Sequence, residues 1–360
     1  MFAADAFPPW PPDQPEIARS VTACLQSGHW SGNESGSLSQ LASAIAKQWH
    51  CGHVLLCGSG SAATDFALNA AGVGAKDEVV LAGYDFPGNI RAVEQRGACA
   101  VLVDLAPGRY VPSIEAVEAE ISDRTRAILL SHLYGNLLDA RQLRQLADQR
   151  GLVFIEDACQ AHGASIDGQP AGSWGHLATI SFGSSKLMTA GCGGALLTSD
   201  ERLFGRATLA AERPAPLSPM SPLQAVALLP QIRLLPEWTE NRARAYAQLK
   251  SRLSASTIWK LPDSAAHETQ PAFYKIAFDV PENTDRDLLA SSCRGMRLPI
   301  GPGFVSFLKR ANRRHQINSE LSFSRKGFDQ TLVMEHRVLL SRSDIIDQVA
   351  DCLLAIESQL

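Results

Sequence analysis

Short apolar runs alternate with amphipathic helical stretches from about residue 50 to 205. The run opening FIEDA (154–158) follows a helical pattern from Ala140 to Arg150 and the turn residue Gly151. It predicts a buried strand with Asp157 at its carboxyl end. HLATISF (176–182) and GGALLT (193–198) predict two more strands, and GSGSA (58–62) predicts a turn feeding a helix over Ala63 to Ala71. Alternation of this kind implies an α/β chain with a mostly parallel sheet between helices. A Pro-rich passage, RPAPLSPMSP (213–222), interrupts it, and residues 223–253 read as helix, broken or restarted near Pro230 and Pro236. Beyond that, YKIAFDV (274–280) predicts a strand, DRDLLASSCRGM (285–296) a helix and SDIIDQVADCLLAIESQL (343–360) an amphipathic final helix. The expected organisation is a Pro- and Gly-rich N-terminal arm (1–35) lying on the large domain or a partner, a large three-layer αβα domain (36–240) and a smaller α+β C-terminal domain (241–360).

Composition adds mainly exclusions. A chain of 360 residues has room for a large and a small domain, and 45% hydrophobic with 19% charged residues is ordinary for a globular protein. The net charge of −4 offers no basic face for nucleic acid. The 8 cysteines are scattered without metal spacing, so no metal site is expected, and reduced thiols in a cytoplasmic protein are the economical reading. The opening MFAADAFPPWPPDQP has no basic segment followed by an apolar core, and no apolar run approaches the length of a membrane span. The basic stretch FLKRANRRH (307–315) reads as a solvated helical face, with Arg313 or Arg314 meeting an anionic substrate as the alternative.

Chemistry enters with Lys186, at the end of SFGSSK (181–186) and directly before TAGCGG (189–194). A lysine on a solvated loop is ordinarily a surface charge. Here its neighbours are hydroxyl residues and glycines, which let donors approach a phosphate closely. Asp157, at a strand's carboxyl end where open α/β sheets bind ligands, can keep a pyridinium nitrogen protonated. GSGSA before a helix is an anion site by its free amides and dipole. It is neither a Walker loop nor a dinucleotide fingerprint, since no GK[ST] follows and no acid stands at the right strand end. An amine for an aldehyde, a carboxylate for a ring nitrogen and donors for a phosphate together suit pyridoxal 5'-phosphate.

Five segments in order carry a resemblance: SGSAATDFAL (59–68), GAKDEVVLAGYDFPGNIRAV (74–93), RTRAILLSHLYGNLLDARQLRQLA (124–147), IEDACQAHGA (155–164) and ISFGSSKLMTAGCGGALLTSD (180–200). Residues from about 28 to 212 resemble the DegT/DnrJ/EryC1/StrS family of fold-type I aminotransferases. FPPWPPDQPEIARSVTACLQSGHWS (7–31), KLMTAG (186–191) and HRVLL (336–340) look most like its 3-amino-5-hydroxybenzoate synthase and scyllo-inosose aminotransferase branch. The resemblance implies that Lys186 holds the cofactor covalently and shuttles protons, that Asp157 pairs with the ring nitrogen, and that Gln160 donates to the phenolic oxygen. It further implies that Phe86 stacks on the ring, with Tyr84 the alternative, and that Ser181, Ser61 and Ala62 hold the phosphate. Glu156 is the acid that would stand in for Asp157.

Two departures stand out. Where the family pattern supplies an Asn and an Arg from the neighbouring subunit, this chain reads APLSPMSPLQAV (215–226), with Leu217 and Pro219 at those positions. Cys192 replaces the acidic or small residue common there, and is expected to be buried and inert rather than reactive. The implied function is amino transfer from glutamate or glutamine to a keto group of a cyclic polyol, nucleotide sugar or related ring, by a homodimer. The alternatives are elimination or aromatisation on the same cofactor, or a cofactor-binding partner without turnover.

Overall fold

The computed structural model describes residues 1–3, 5–31, 36–261, 269–306, 308 and 315–359. Two helices, α1 (Pro15–Ser27) and α2 (Ser37–Gln48), precede an alternating run. It proceeds β1 (His53–Cys57), α3 (Gly60–Ala71), β2 (Glu78–Ala82), α4 (Pro87–Gln95), β3 (Cys99–Val103), α5 (Ile114–Ala119), β4 (Thr125–Ser131), α6 (Ala140–Arg150) and β5 (Val153–Asp157). The two-residue strands β6 (Ser165–Ile166) and β7 (Gln169–Pro170) lead to β8 (Leu177–Ser181), β9 (Gly194–Thr198), α7 (Glu201–Glu212) and α8 (Pro222–Arg252). The remainder is β10 (Thr269–Gln270), β11 (Lys275–Asp279), α9 (Arg286–Gly295), β12 (Ile300–Pro302), β13 (His315–Gln316), α10 (Ser322–Gln330), β14 (Thr331–Glu335) and α11 (Ser343–Glu357).

The main sheet runs β1-β9-β8-β5-β4-β2-β3-β13, parallel except where β9 pairs antiparallel with both β1 and β8. Every residue of β2 is buried, as a strand covered on both faces requires. Helix α3 starts under a Ser59 cap and stops at Gly72, whose φ of 78° is the left-handed turn that glycine takes without strain. A second antiparallel sheet, β11-β14-β12, carries α9 and α11 around its own apolar cluster. This is the fold-type I α/β architecture expected, with strand, turn and helix in the anticipated order.

One expectation fails here. Residues 222–252 form one helix through both Pro230 and Pro236. Each proline forfeits a backbone bond, but α8 packs against α1, α2 and α11 along its length, and burial outweighs the local penalty. Within the arm, α1 packs on α8, where Glu16 meets Arg233, while the first residues reach further: Phe2 and Phe7 are buried in the smaller cluster, and the Phe2 amide donates to Met296 O at 3.1 Å. Arg313 and Arg314 fall outside the described residues. No helix among those described is long and apolar enough to cross a membrane, and no three of their His, Cys, Asp or Glu side chains converge as metal ligands.

Candidate active site

Ser131 and Asp157 are in register at the carboxyl ends of β4 and β5, so their side chains leave the sheet on one face. Asp157 is almost wholly buried, and its Oδ2 accepts from Ser131 Oγ at 2.8 Å and from Asn89 Nδ2 at 2.9 Å. Its Oδ1 accepts from the Cys159 amide at 3.0 Å. Asp85, just after β2, closes the cluster: Ser131 Oγ lies 3.0 Å from its Oδ2 and the Phe86 amide donates to its Oδ1 at 2.6 Å. Glu156, one residue earlier, points to the other face. It accepts from the amides of Gly172 (2.6 Å), Trp174 (2.9 Å) and Gly175 (2.8 Å) and from His132 Nε2 (2.8 Å). Since His132 Nδ1 accepts from the Leu138 amide, its one ring hydrogen sits on Nε2. Glu156 is thereby fully engaged in holding the turn around Gly172, and cannot replace Asp157.

Lys186 lies on the loop between β8 and β9, half-buried, with Nζ 4.5 Å from the centre of the Tyr274 ring. The loop is stiff. The Phe182 amide donates to Gly193 O at 2.8 Å, and the buried Gln231 of α8 holds Thr189 by both its amide (2.9 Å) and its carbonyl (2.7 Å). Tyr274, directly before β11, bonds Ser185 Oγ through its hydroxyl at 2.9 Å and stacks on His336. His336 in turn touches Arg242 and Trp10 of the N-terminal arm. Burial, then the Arg242 charge, holds His336 well below its ordinary value, so it stays neutral. His162, fully buried between Trp49 and Phe182, is lowered to about 3 by burial and then by the Lys186 charge. Gln160 Oε1 accepts from the Tyr134 amide at 2.9 Å, which leaves its NH2 as the donor.

The phosphate end is built by close approach. A Cβ on Gly60 would sit 2.7 Å from Ser181 Cβ and 3.1 Å from Cys159 Sγ, so only glycine lets the start of α3 meet the ends of β8 and β5. That contact brings Ser61 and Ser181 to the same edge as Asp157. The Ala62 amide is already taken by the Ser59 side chain at 3.1 Å, so an anion could use it only by displacing that cap. The available donors are better sought in the Ser61 and Ser181 hydroxyls. A cavity of about 930 Å³ runs over this terminus, lined by Ser61, Ala62, Phe86, Arg91 and His315 among others. Phe86, at the cap of α4, is 40% exposed, whereas Tyr84 is fully buried, bonding Tyr134 and packing on Phe328. Of the two aromatic candidates, only Phe86 presents a ring to the cavity. A carboxylate with its donors in place, an amine on a rigid loop and a glycine-opened hydroxyl edge fit the parts of pyridoxal phosphate.

A model of the DegT/DnrJ/EryC1/StrS aminotransferase family matches residues 11–354. The chain belongs to that family. Among its relatives is the L-glutamine:scyllo-inosose aminotransferase of Streptomyces griseus, 33% identical over 306 residues, covering 77% of this chain and 71% of the relative. The L-glutamine:2-deoxy-scyllo-inosose aminotransferase of Streptomyces fradiae is 32% identical over 331 residues, covering 83% and 78%. Among solved structures, 3-amino-5-hydroxybenzoic acid (AHBA) synthase superposes with a TM-score of 0.90 at 23% identity over 99% of this chain and 100% of that one. The protein is therefore an aminotransferase-family enzyme of fold-type I, a group that works with pyridoxal phosphate.

The aminotransferase pattern also locates the departures. Residues 212–219 are exposed, and the Gly58 amide donates to Ser218 O at 2.6 Å, so the altered segment lies on the chain's own GSGS turn. Cys192 is exposed, contrary to expectation, and Gln224 Nε2 reaches both its carbonyl (3.0 Å) and its sulfur (3.3 Å). The buried cysteine of the site is Cys159, whose thiol is pushed well above its ordinary range by burial and the neighbouring Asp157 charge.

Proposed function

We propose that this aminotransferase takes an amino group from L-glutamine or L-glutamate and delivers it to the keto group of a cyclic polyol of the scyllo-inosose kind. The substrate class rests on the two Streptomyces relatives, which are alike over more than two-thirds of both chains. The observation that carries the mechanism is the buried Asp157, held by Ser131, Asn89 and the Cys159 amide at the sheet edge that Lys186 also flanks.

Pyridoxal phosphate, when bound, supplies an aldehyde to carry the amino group and a ring that spreads charge from the donor's Cα. Asp157, its carboxylate held by three donors, would favour a proton on the ring nitrogen beside it. Lys186 Nζ is the amine that would hold the cofactor, and the base that would move a proton at the donor's Cα and at the acceptor's carbon. Gln160, oriented by Tyr134, donates its NH2 to the phenolic oxygen. Phe86 covers one ring face and excludes water from it. Ser61 and Ser181 hold the phosphate. Tyr274 backs Lys186 and limits its swing.

The enzyme works as a homodimer in this reading. Leu217 and Phe86 leave apolar area exposed near the site, Trp30 adds more on the N-terminal arm, and closed two-fold pairs are the commonest soluble assemblies. Sedimentation of purified protein is expected to give a dimer, and a stable, active monomer would refute the shared site. Adding L-glutamine to the loaded enzyme, then scyllo-inosose, should bleach and restore the cofactor's visible band with formation of the amino-cyclitol. Lys186→Ala should retain some cofactor through phosphate and ring contacts, lose borohydride fixation and lose turnover. Normal turnover in that variant would sink the mechanism.

A further inference from the structure

We propose that Asp85 is a positioning residue, a protonated carboxyl that turns the Ser131 hydroxyl toward Asp157 and leaves Asp157 as the single anion of the pair. The inference rests on Asp157 being the partner of the ring nitrogen, and adds how that carboxylate is kept ionised and aimed.

Ser131 has too few hydrogens for two carboxylates. Ser131 Oγ lies 3.0 Å from Asp85 Oδ2 and 2.8 Å from Asp157 Oδ2, and a hydroxyl has one proton to give. With both carboxyls ionised, one of these contacts would set lone pair against lone pair. Asn89 cannot cure this alone: its Nδ2 is shared between Ser131 Oγ at 3.0 Å and Asp157 Oδ2 at 2.9 Å. Two carboxylates buried to 1% and 4% exposure, with no ion-paired Lys, Arg or His among the described residues, are not both charged at once. A proton on Asp85 resolves every contact. Asp85 donates to Ser131 Oγ, Ser131 donates to Asp157, and Ser131's second lone pair accepts from Asn89.

The proton belongs on Asp85 because the donors are unequal. Asp157 accepts from Ser131, Asn89 and the Cys159 amide, with Thr179 Oγ1 at 3.5 Å, whereas Asp85 has the Phe86 amide at 2.6 Å and a share in Asn89, whose Nδ2 sits closest to Asp157 and Ser131. The charged group facing Asp85 is Asp157 on β5; β4 contributes Ser131, and α4 contributes Asn89 and the Phe86 amide. In keeping with this, burial and then the Asp157 charge push the Asp85 carboxyl up to about 7. Asp85 also ties the start of α4, so the same side chain sets Phe86 and Asp157 relative to each other.

Carboxyl-labelled aspartate allows a direct titration by carbon NMR in protein stripped of cofactor. One aspartate should titrate near neutrality in the wild type, vanish in Asp85→Asn, and persist at a lower midpoint in Asp157→Asn, where the neighbouring charge is gone. A near-neutral signal that survives Asp85→Asn, or none in the wild type, would overturn the proposal. Cofactor titration gives a second readout. Asp85→Ala should weaken binding roughly tenfold, as expected for one lost buried hydrogen bond, and Asp85→Asn, whose amide can donate to Ser131, should recover most of it. Equal losses in the two variants would also overturn it. Failure of the underlying reading would look different: Asp157→Asn would then turn over normally, whatever the titration showed.

Discussion

The two faces of β5 put neighbouring carboxylates to opposite uses. Glu156 is closed off, its two oxygens filled by three loop amides and one imidazole. Asp157 is closed off on the protein side only, by groups that stabilise its charge and fix its direction. Burial alone does not distinguish them, for both are nearly inaccessible. What differs is the partner set. Backbone amides that belong to one turn make a structural clamp, while side chains gathered from β4, α4 and the turn between β2 and α4 make a tunable anion. The comparison predicts a double dissociation between chemistry and stability.

The largest effect should come from Asp157→Ala. A neutral ring nitrogen is a poor electron sink, so kcat should fall by about three orders of magnitude or more, with the cofactor still detectable. Steady-state rates and the visible spectrum check this, and a loss under about tenfold would require another acid in the role. Glu156→Gln should invert the pattern. Whichever way the new amide lies, its NH2 faces amide or imidazole donors where an acceptor stood, at a cost of about 2–5 kcal/mol of stability. Urea unfolding would show the loss, while the enzyme that remains folded keeps its kcat.

Phe86 and Tyr84 provide a milder version of the same contrast. Phe86→Ala should weaken cofactor retention about tenfold, by removing the ring at the cavity wall. Tyr84→Phe, which strips a hydroxyl bonded to Tyr134 at 2.9 Å and to the Phe304 amide at 3.2 Å, should cost about 1–2 kcal/mol of stability instead. Cofactor dissociation on dialysis and thermal melts separate the two. Tyr84→Phe releasing cofactor more readily than Phe86→Ala would reverse the assignment of the stacking ring.

The strands, the Lys186 loop and the GSGSA turn were legible in the sequence because each is local: an apolar run, a glycine, a cap. Asp157 and Lys186 could be paired across 29 residues because Asp157 ends β5 and Lys186 lies on the loop that leaves the adjacent strand β8. Asp85, Ser131, Asn89 and Tyr274 were not legible as site residues. Each lies in a segment of ordinary composition, and only the order β8-β5-β4-β2 and the packing of the second sheet bring them to Asp157 and Lys186. Propensity misread α8, where tertiary packing overrides two prolines, and it gave no sign that Phe2 and Phe7 find their apolar partners in the C-terminal cluster. The Ala62 amide was expected to be free, but the side chain of Ser59, three residues before it, caps it.

The pH dependence is the most discriminating effect, because it has a sign. Asp85 is raised to about 7, so between about pH 4 and 7 the folded chain holds a proton that the unfolded chain has released, and stability falls as pH rises. His162 is lowered to about 3, so below about pH 6.5 the unfolded chain holds a proton that the folded chain lacks, and stability falls as pH falls. Across the shared window the two oppose each other. In cofactor-free protein, Asp85→Asn should therefore gain on the wild type as pH rises, by about 1.4 kcal/mol for each pH unit while the one-proton difference lasts. His162→Gln should show the opposite slope, gaining as pH falls. Unfolding midpoints in urea at several pH values give both slopes without reference to any constant offset from lost packing. Curves for Asp85→Asn that run parallel to the wild type would mean that Asp85 is ionised in the folded protein, and that the Asp157 face carries two charges where the hydrogen count allows one.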